Sequence, residues 1–382
     1  MKRKVTSGHS TCEIVGPHER VDERETVFAR ACLDEGSVPE KTYHASHPDT
    51  RDIDLKMGKF YHRDTNAYFK SVFAPVAALA LPDVVDGPVS PNRVTASGTE
   101  FTALVKRVAG YLGADMVGVG LLNQAWVYTH RGRYPYFGDY RANPPLFSGV
   151  PPHYTGLSWG DPIEVKHKYV IALGFVQDRR SLGDGTAKQT DFEVGRVYAR
   201  SALASVQLAR FARELGYSAR AHHLRNYGIM VVPAAVDSGL GELGRCGYLV
   251  TRKYGANLRI ACVTTDLPLE PDEGPDLGMQ DFCSKCLKCA LACPAGAIPL
   301  GGKVVVRGVR KWEIDREKCF LYWGAKGHSC AICQMVCPWS KPDTFIHAAV
   351  SGIAIHLPIL RRMILWVDSL LFPPPHRPAA EH

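Results

Sequence analysis

The sequence predicts an α/β (α+β) domain fused to a small metal domain held by cysteine thiolates. Three observations carry this. Helix-period and strand-like stretches alternate between residues 99 and 275. Eight of the 12 cysteines lie between Cys283 and Cys337, at the short spacings that metals impose. The composition, 46% hydrophobic and 22% charged over 382 residues, allows a large buried core and two or three domains.

Taken in order, residues 1–98 are rich in His, Asp, Pro and charge, with short apolar pieces such as 69–81, and read as a loop-rich N-terminal region. Residues 100–113 carry Phe101, Leu104, Val105, Val108 and Leu112 at helical steps. A buried strand is expected over 116–122, and a long aromatic, Gly- and Pro-rich loop over 126–159. That loop either lines a ligand cavity or packs its aromatics on the core. Strands then follow at 169–176, 229–235 and 259–265, with a helix over 191–215, which implies a three-layer α/β domain spanning 99–275. The cysteine domain occupies 276–345. An amphipathic tail, 346–382, reaches a hard stop at Pro373-Pro374-Pro375.

The formal charge is +8, but Lys and Arg are spread along the chain, so specific nucleic-acid binding is not expected. Met1-Lys2-Arg3-Lys4 is not followed by an apolar stretch, and no twin-arginine leader is visible, so a cytoplasmic location is expected. The apolar region 352–372 is interrupted by His356, Pro358, Arg361, Arg362 and Asp368, and fails as a spanning helix, which needs about 20 mainly apolar residues. Its Leu357, Ile359, Leu360, Met363, Ile364, Trp366 and Val367 beside Arg361 and Arg362 suit peripheral contact with a membrane surface, a docked terminal helix or a dimer contact.

The run Cys283-x2-Cys286-x2-Cys289-x3-Cys293-Pro294 matches the bacterial ferredoxin pattern, in which the last thiolate reaches the other of two [4Fe–4S] clusters. A second set is Cys319 with Cys330-x2-Cys333-x3-Cys337-Pro338. Crossing the ligands gives cluster one to Cys283, Cys286, Cys289 and Cys337, and cluster two to Cys293, Cys319, Cys330 and Cys333. Two four-cysteine zinc sites are the alternative, since soft thiolates bind zinc as well; the full run is rarer in zinc modules. Cys12, Cys32, Cys246 and Cys262 lack such partners and read as ordinary thiols. Two clusters form a short electron wire, so the α/β domain is expected to hold a redox cofactor or substrate.

Gly239-Leu240-Gly241-Glu242-Leu243-Gly244 fits the dinucleotide fingerprint G-x-G-x-x-G after a strand-like stretch, and Asp266 stands where a ribose ligand would. The turn comes late in the domain and Asp237-Ser238 intervene, which argues against a nicotinamide. What survives is a Gly-rich loop whose backbone N–H groups can approach a phosphate. Ser238, Gly239, Gly241, Glu242 and Gly244 are therefore candidate cofactor-binding residues.

The stretch 235–245, then Thr264-Thr265-Asp266-Leu267-Pro268-Leu269-Glu270-Pro271-Asp272, then the cysteine run, resembles the corrinoid-dependent reductive dehalogenases, as do 112–118 and Trp126-Val127-Tyr128. The resemblance covers residues 99–345. It implies a nitroreductase-like cobalamin-binding domain, a base-off corrinoid beside the proximal cluster, and reductive replacement of halide by hydrogen on an organohalide. No Asp-x-His-x-x-Gly motif is present to supply a lower His ligand. It further implies Tyr198 as proton donor, Arg259 as active-site arginine and Asn226 as active-site asparagine, with the 217–233 stretch two residues longer than the family pattern. A guanidinium near a tyrosine stabilises the anion left when the proton goes to a developing carbanion. The family pattern favours the cluster holding Cys293 as the proximal one. With no fused reductase module visible, an external ferredoxin, flavodoxin or reductase is the expected electron donor.

Two other readings compete. Epoxyqueuosine reductase, a related tRNA-modifying enzyme, is resembled by residues 330–339, yet Val197 stands where its general-acid carboxylate belongs. A non-catalytic iron–sulfur and corrinoid electron carrier would be indifferent to mutation of Tyr198 and Arg259.

Overall fold

Four strands make one antiparallel sheet at the centre of the protein: β1 (Met116–Leu121), β2 (Tyr169–Val176), β3 (Ala219–His222) and β4 (Leu258–Thr265), in the order β1-β2-β4-β3. The computed structural model describes residues 13–33, 35–61, 75–132, 159–183, 185, 188–342 and 344–373. β2 and β3 run in the same direction with β4 slotted between them, so the connection from β2 to β3 is a split βαβ crossover.

Both faces of the sheet are covered, which is why β2 is apolar along its whole length. Successive side chains alternate between faces. Ile171, Leu173, Phe175 and Val263 pack with helices α1 (Gly98–Tyr111) and α2 (Lys188–Glu214), while Val170, Ala172, Ile260 and Cys262 pack with helix α3 (Val231–Asp237) on the other side. The three layers follow from this division. α1 begins at a reciprocal capping box between Ser97 and Glu100, and its C-terminal turn is closed by Gly113 at φ +92°.

Two expectations are corrected. Residues 229–235 read as a strand because Ile229, Val231 and Val232 favour extended chain, but the structure places helix α3 there. Pro233 decides it: proline cannot donate to a central ladder, and it is tolerated in the first helical turn, where the N–H groups have no intrahelical acceptor. The reading of 1–98 as loop-rich is corrected where helices Val27–Arg30, Val38–Ser46 and Arg51–Tyr61 form. These helices do not stand apart. Val27, Ala31 and Met57 pack on Phe320 of the cysteine domain, and Arg30 is ion-paired to Asp54 at 2.6 Å and to Glu317 at 2.7 Å. Strand Glu13–Ile14 also pairs with Val309–Lys311.

In the cysteine region, helix α4 (Met279–Lys285) carries Cys283 and helix α5 (Arg316–Lys326) carries Cys319. The tail forms two helices, α6 (Phe345–His356) and α7 (Arg361–Leu371), bent by 113°. No single described helix is long and apolar enough to cross a membrane. α7 is pinned down by Arg361, which donates to Ala354 O at 2.7 Å and Asp281 Oδ2 at 2.6 Å, and by the Lys288–Asp368 ion pair. α6 contains no Lys, Arg, Asp or Glu, and the pair leaves Phe345, Ile346, Ile359 and Trp366 facing outward, at 88%, 73%, 87% and 64% exposure.

Candidate functional site

Period-two alternation along β4 puts Arg259 on the sheet face that α2 covers, opposite the core-facing Leu258 and Ile260. On α2, Val197 and Ser201 are fully buried against the sheet, which leaves Tyr198 on the flank of that stripe, half-buried. The two elements bring the guanidinium of Arg259 to 5.4 Å from the centroid of the Tyr198 ring. The Arg259 Nε is buried and has no hydrogen-bond partner. Burial pushes the Tyr248 hydroxyl well above the usual tyrosine range, with Cys333 and Cys319 adding to the rise and Arg259 opposing it.

The cysteines fall into two groups. Cys283, Cys286, Cys289 and Cys337 line one small cavity together with Arg245, Cys246, Phe282 and Trp339. Cys293, Cys319, Cys330 and Cys333 are mutual neighbours, and Ala297 N–H donates to Cys293 Sγ at 3.3 Å. Among the described residues no three Cys, His, Asp or Glu side chains converge closely enough to hold a single metal ion. Thiols that ring a space rather than a point suit a multi-atom cluster better than mononuclear zinc. Burial pushes Cys286, Cys319 and Cys337 each up to about 12, so bare pockets hold neutral thiols and metal must displace their protons.

The Gly-rich turn is spent on packing within the protein. Ser238 is fully buried and its hydroxyl donates to Ala234 O at 2.8 Å. A Cβ at Gly241 would lie 2.3 Å from Val250 O, and one at Gly118 of β1 would lie 2.2 Å from Ser238 O. At Gly239 the nearest neighbour of such a Cβ is Glu273 O, at 3.0 Å, and at Gly244 it is Val250 Cγ2, at 2.7 Å. The Glu242 carboxylate accepts from Leu277 N–H at 2.6 Å and Met279 N–H at 3.2 Å, so it ties the turn to the start of α4. Burial raises its carboxyl above the usual range. The strand that a dinucleotide fingerprint needs before its turn is absent, because α3 occupies that stretch.

Asn226 is buried in a separate polar cluster. Its Oδ1 accepts from Arg131 at 3.1 Å and Arg220 at 2.7 Å, and its Nδ2 donates to Ala80 O at 2.9 Å. Burial lowers Arg220 to about 10, with Arg131 adding to the effect. His222 is held well below the usual histidine range by burial and by the Arg220 charge. Its Nδ1 accepts from Gly228 N–H at 3.0 Å, so Nε2 carries the proton and donates to Thr264 Oγ1 at 2.9 Å. Burial also lowers His223, to about 4. The structure brings Tyr198 and Arg259 together; the hydrogen bonds of Asn226 go to this other cluster.

Of the expected loop over 126–159, residues 133–158 lie outside the described residues, as does Cys12. Sequence reasoning left Tyr248 unremarked and read Cys246 as an ordinary thiol. The available signal was their position, a few residues beyond the Gly-rich turn and before Arg259.

A family described as a 4Fe-4S dicluster domain matches residues 282–341. The tetrachloroethene reductive dehalogenase of Desulfitobacterium hafniense is 34% identical over 291 residues, covering 69% of this chain and 52% of its own length. That of Sulfurospirillum multivorans is 30% identical over 293 residues, covering 72% and 58%. A solved catabolic reductive dehalogenase, NpRdhA, superposes with a TM-score of 0.79 at 26% identity, over 97% of this chain and 49% of the other. A reductive dehalogenase structure described as suggesting a mechanism for B12-dependent dehalogenation gives 0.77 at 26% identity, over 97% and 48%. Epoxyqueuosine reductase of Salmonella typhimurium is 26% identical over 159 residues, 37% of this chain and 38% of its own. The chain spans about half the length of the dehalogenases it matches.

Proposed function

We propose that this chain, a relative of the reductive dehalogenases over 69–72% of its length, is an oxidoreductase that replaces halide by hydrogen on an organohalide with two electrons and a proton. The observation that carries the reading is the contact between the Arg259 guanidinium and the Tyr198 ring. The eight cysteines would hold two [4Fe–4S] clusters able to pass electrons singly, and a corrinoid held by the α/β unit would supply low-valent cobalt for carbon–halogen cleavage. The unpartnered Arg259 Nε fits a site that awaits a ligand. The α/β unit is then of the nitroreductase-like cobalamin-binding type.

In this reading the Tyr198 O–H is the proton source for the carbon that loses halide. Arg259, permanently charged, cannot be the acid; it holds the ring and stabilises the phenolate. Electrons arrive from a separate ferredoxin, flavodoxin or reductase. The epoxyqueuosine reading is weakened by Val197, fully buried in the sheet-facing core where a general acid would be needed.

The test is protein made without oxygen and supplied with cobalamin, assayed for bound corrinoid and iron and then for halide release under a low-potential donor. About one corrinoid and about eight irons per chain, with halide release, are expected. Eight irons without corrinoid would overturn the reading and leave an electron carrier.

A further inference from the structure

The hairpin beyond the Gly-rich turn ends inside the cysteine domain. Its strands Glu242–Leu243 and Leu249–Val250 pair antiparallel, and residues 244–248 form the tip. Arg245 clamps that tip: Nε donates to Cys283 O at 3.0 Å, Nη1 donates to Pro299 O at 2.8 Å and Gly301 O at 2.9 Å, and the guanidinium lies 4.6 Å from the Trp312 ring centroid. A turn fixed at three carbonyls and an indole has little freedom to withdraw.

The next residue is Cys246. It is 7% exposed and lines the same cavity as Cys283, Cys286, Cys289 and Cys337. Cys246 adds to the rise that burial causes in the thiols of Cys289 and Cys337, and of Cys333 in the other group. A four-iron cubane takes four thiolates. Five cysteines line this cavity.

We propose that Cys246 is a reserve ligand of cluster one, able to take the corner vacated when Cys289 or Cys337 is lost. In that exchange the Cys246 thiol gives its proton to solvent and one Fe–S bond replaces another, with no change in oxidation state. The Arg245 clamp makes the substitution geometrically cheap, because it fixes the fifth cysteine in the lining of this cavity. The inference rests on the cluster assignment and not on the dehalogenation chemistry.

The test is iron content with Mössbauer and electron paramagnetic resonance spectra of anaerobically prepared full-length chain. Cys289→Ala and Cys337→Ala are each expected to keep a four-iron cluster at site one. Adding Cys246→Ala to either is expected to remove about one iron per chain and produce a three-iron signal. A three-iron signal of equal size with Cys246 still present would overturn the proposal. Should both ligand variants fail to fold, Cys246→Ala in the otherwise intact chain is compared with the parent during mild ferricyanide oxidation. Several-fold faster conversion to the three-iron form is expected, and equal rates would refute the role. Parent protein without iron would defeat the cluster assignment itself, a failure distinct from that of Cys246.

Discussion

The guanidinium of Arg259 lies over the Tyr198 ring, 5.4 Å from its centroid, although one residue sits on a strand and the other on the helix that covers it. Neither side chain is needed for the core: Val197 and Ser201 fill the helix stripe, and Leu258 and Ile260 fill the strand's other face. A pair held this way is free to serve chemistry.

Tyr198→Phe keeps the ring and removes the proton. Halide release is expected to fall about 10²- to 10⁴-fold, the usual worth of a positioned general acid, with iron and corrinoid content unchanged. A rate within twofold of the parent would remove Tyr198 from the reaction.

Arg259→Lys keeps the charge but loses the planar face that stacks on the ring, a contact worth about 0.5–2 kcal/mol. The expected result is a smaller loss of activity than for Arg259→Ala, read as kcat at saturating substrate with cluster spectra as the control. Equal losses would mean that charge plays no part.

His223 is buried with its folded-state value near 4, against an ordinary histidine near 6.5. The unfolded chain therefore binds more protons between those values, and stability rises with pH across that window and is lost as pH falls through it. His222 is shifted in the same direction. His223→Gln can still donate to Leu79 O, the 3.2 Å partner of His223 Nε2. It is expected to flatten the decline in unfolding free energy between pH 6.5 and 4 by an amount on the order of 2–3 kcal/mol. Parallel pH profiles for parent and variant would show that this histidine titrates freely.

Gly118→Ala would place a methyl group 2.2 Å from Ser238 O, where neither backbone can retreat without disturbing α3 or β1. A loss of about 1–3 kcal/mol is expected from denaturant unfolding. An unchanged midpoint would show that the turn is not packed this tightly.

The outward apolar face of α6 and α7 suits a lipid surface, with Trp366 and Ile359 exposed beside Arg362. Ile359→Glu/Trp366→Glu is expected to reduce co-sedimentation with phosphatidylglycerol-containing vesicles at least about tenfold, given about 1.5–3 kcal/mol per large apolar side chain. Unaltered vesicle binding would exclude this face. Dimers that dissociate in the double variant would assign the face to a second copy.

The sequence by itself determined the cysteine spacing, the helix over α1 and the apolar run of β2, because each is written in local periodicity or in chemistry at fixed intervals. It misjudged 229–235, where Pro233 bars a central strand, and 27–61, where helices bury only narrow faces against a domain far along the chain. It left Cys246 among the ordinary thiols, since nothing in its neighbours along the chain reveals that Arg245 carries it to the wall of a cavity. Only the tertiary structure decided that the Gly-rich turn is closed by Val250, Glu273 and Ser238, that Glu242 serves the start of α4, and that Tyr198 meets Arg259. The reason is physical: contacts between residues far apart in sequence depend on where β4 enters the sheet, and no local pattern encodes that insertion.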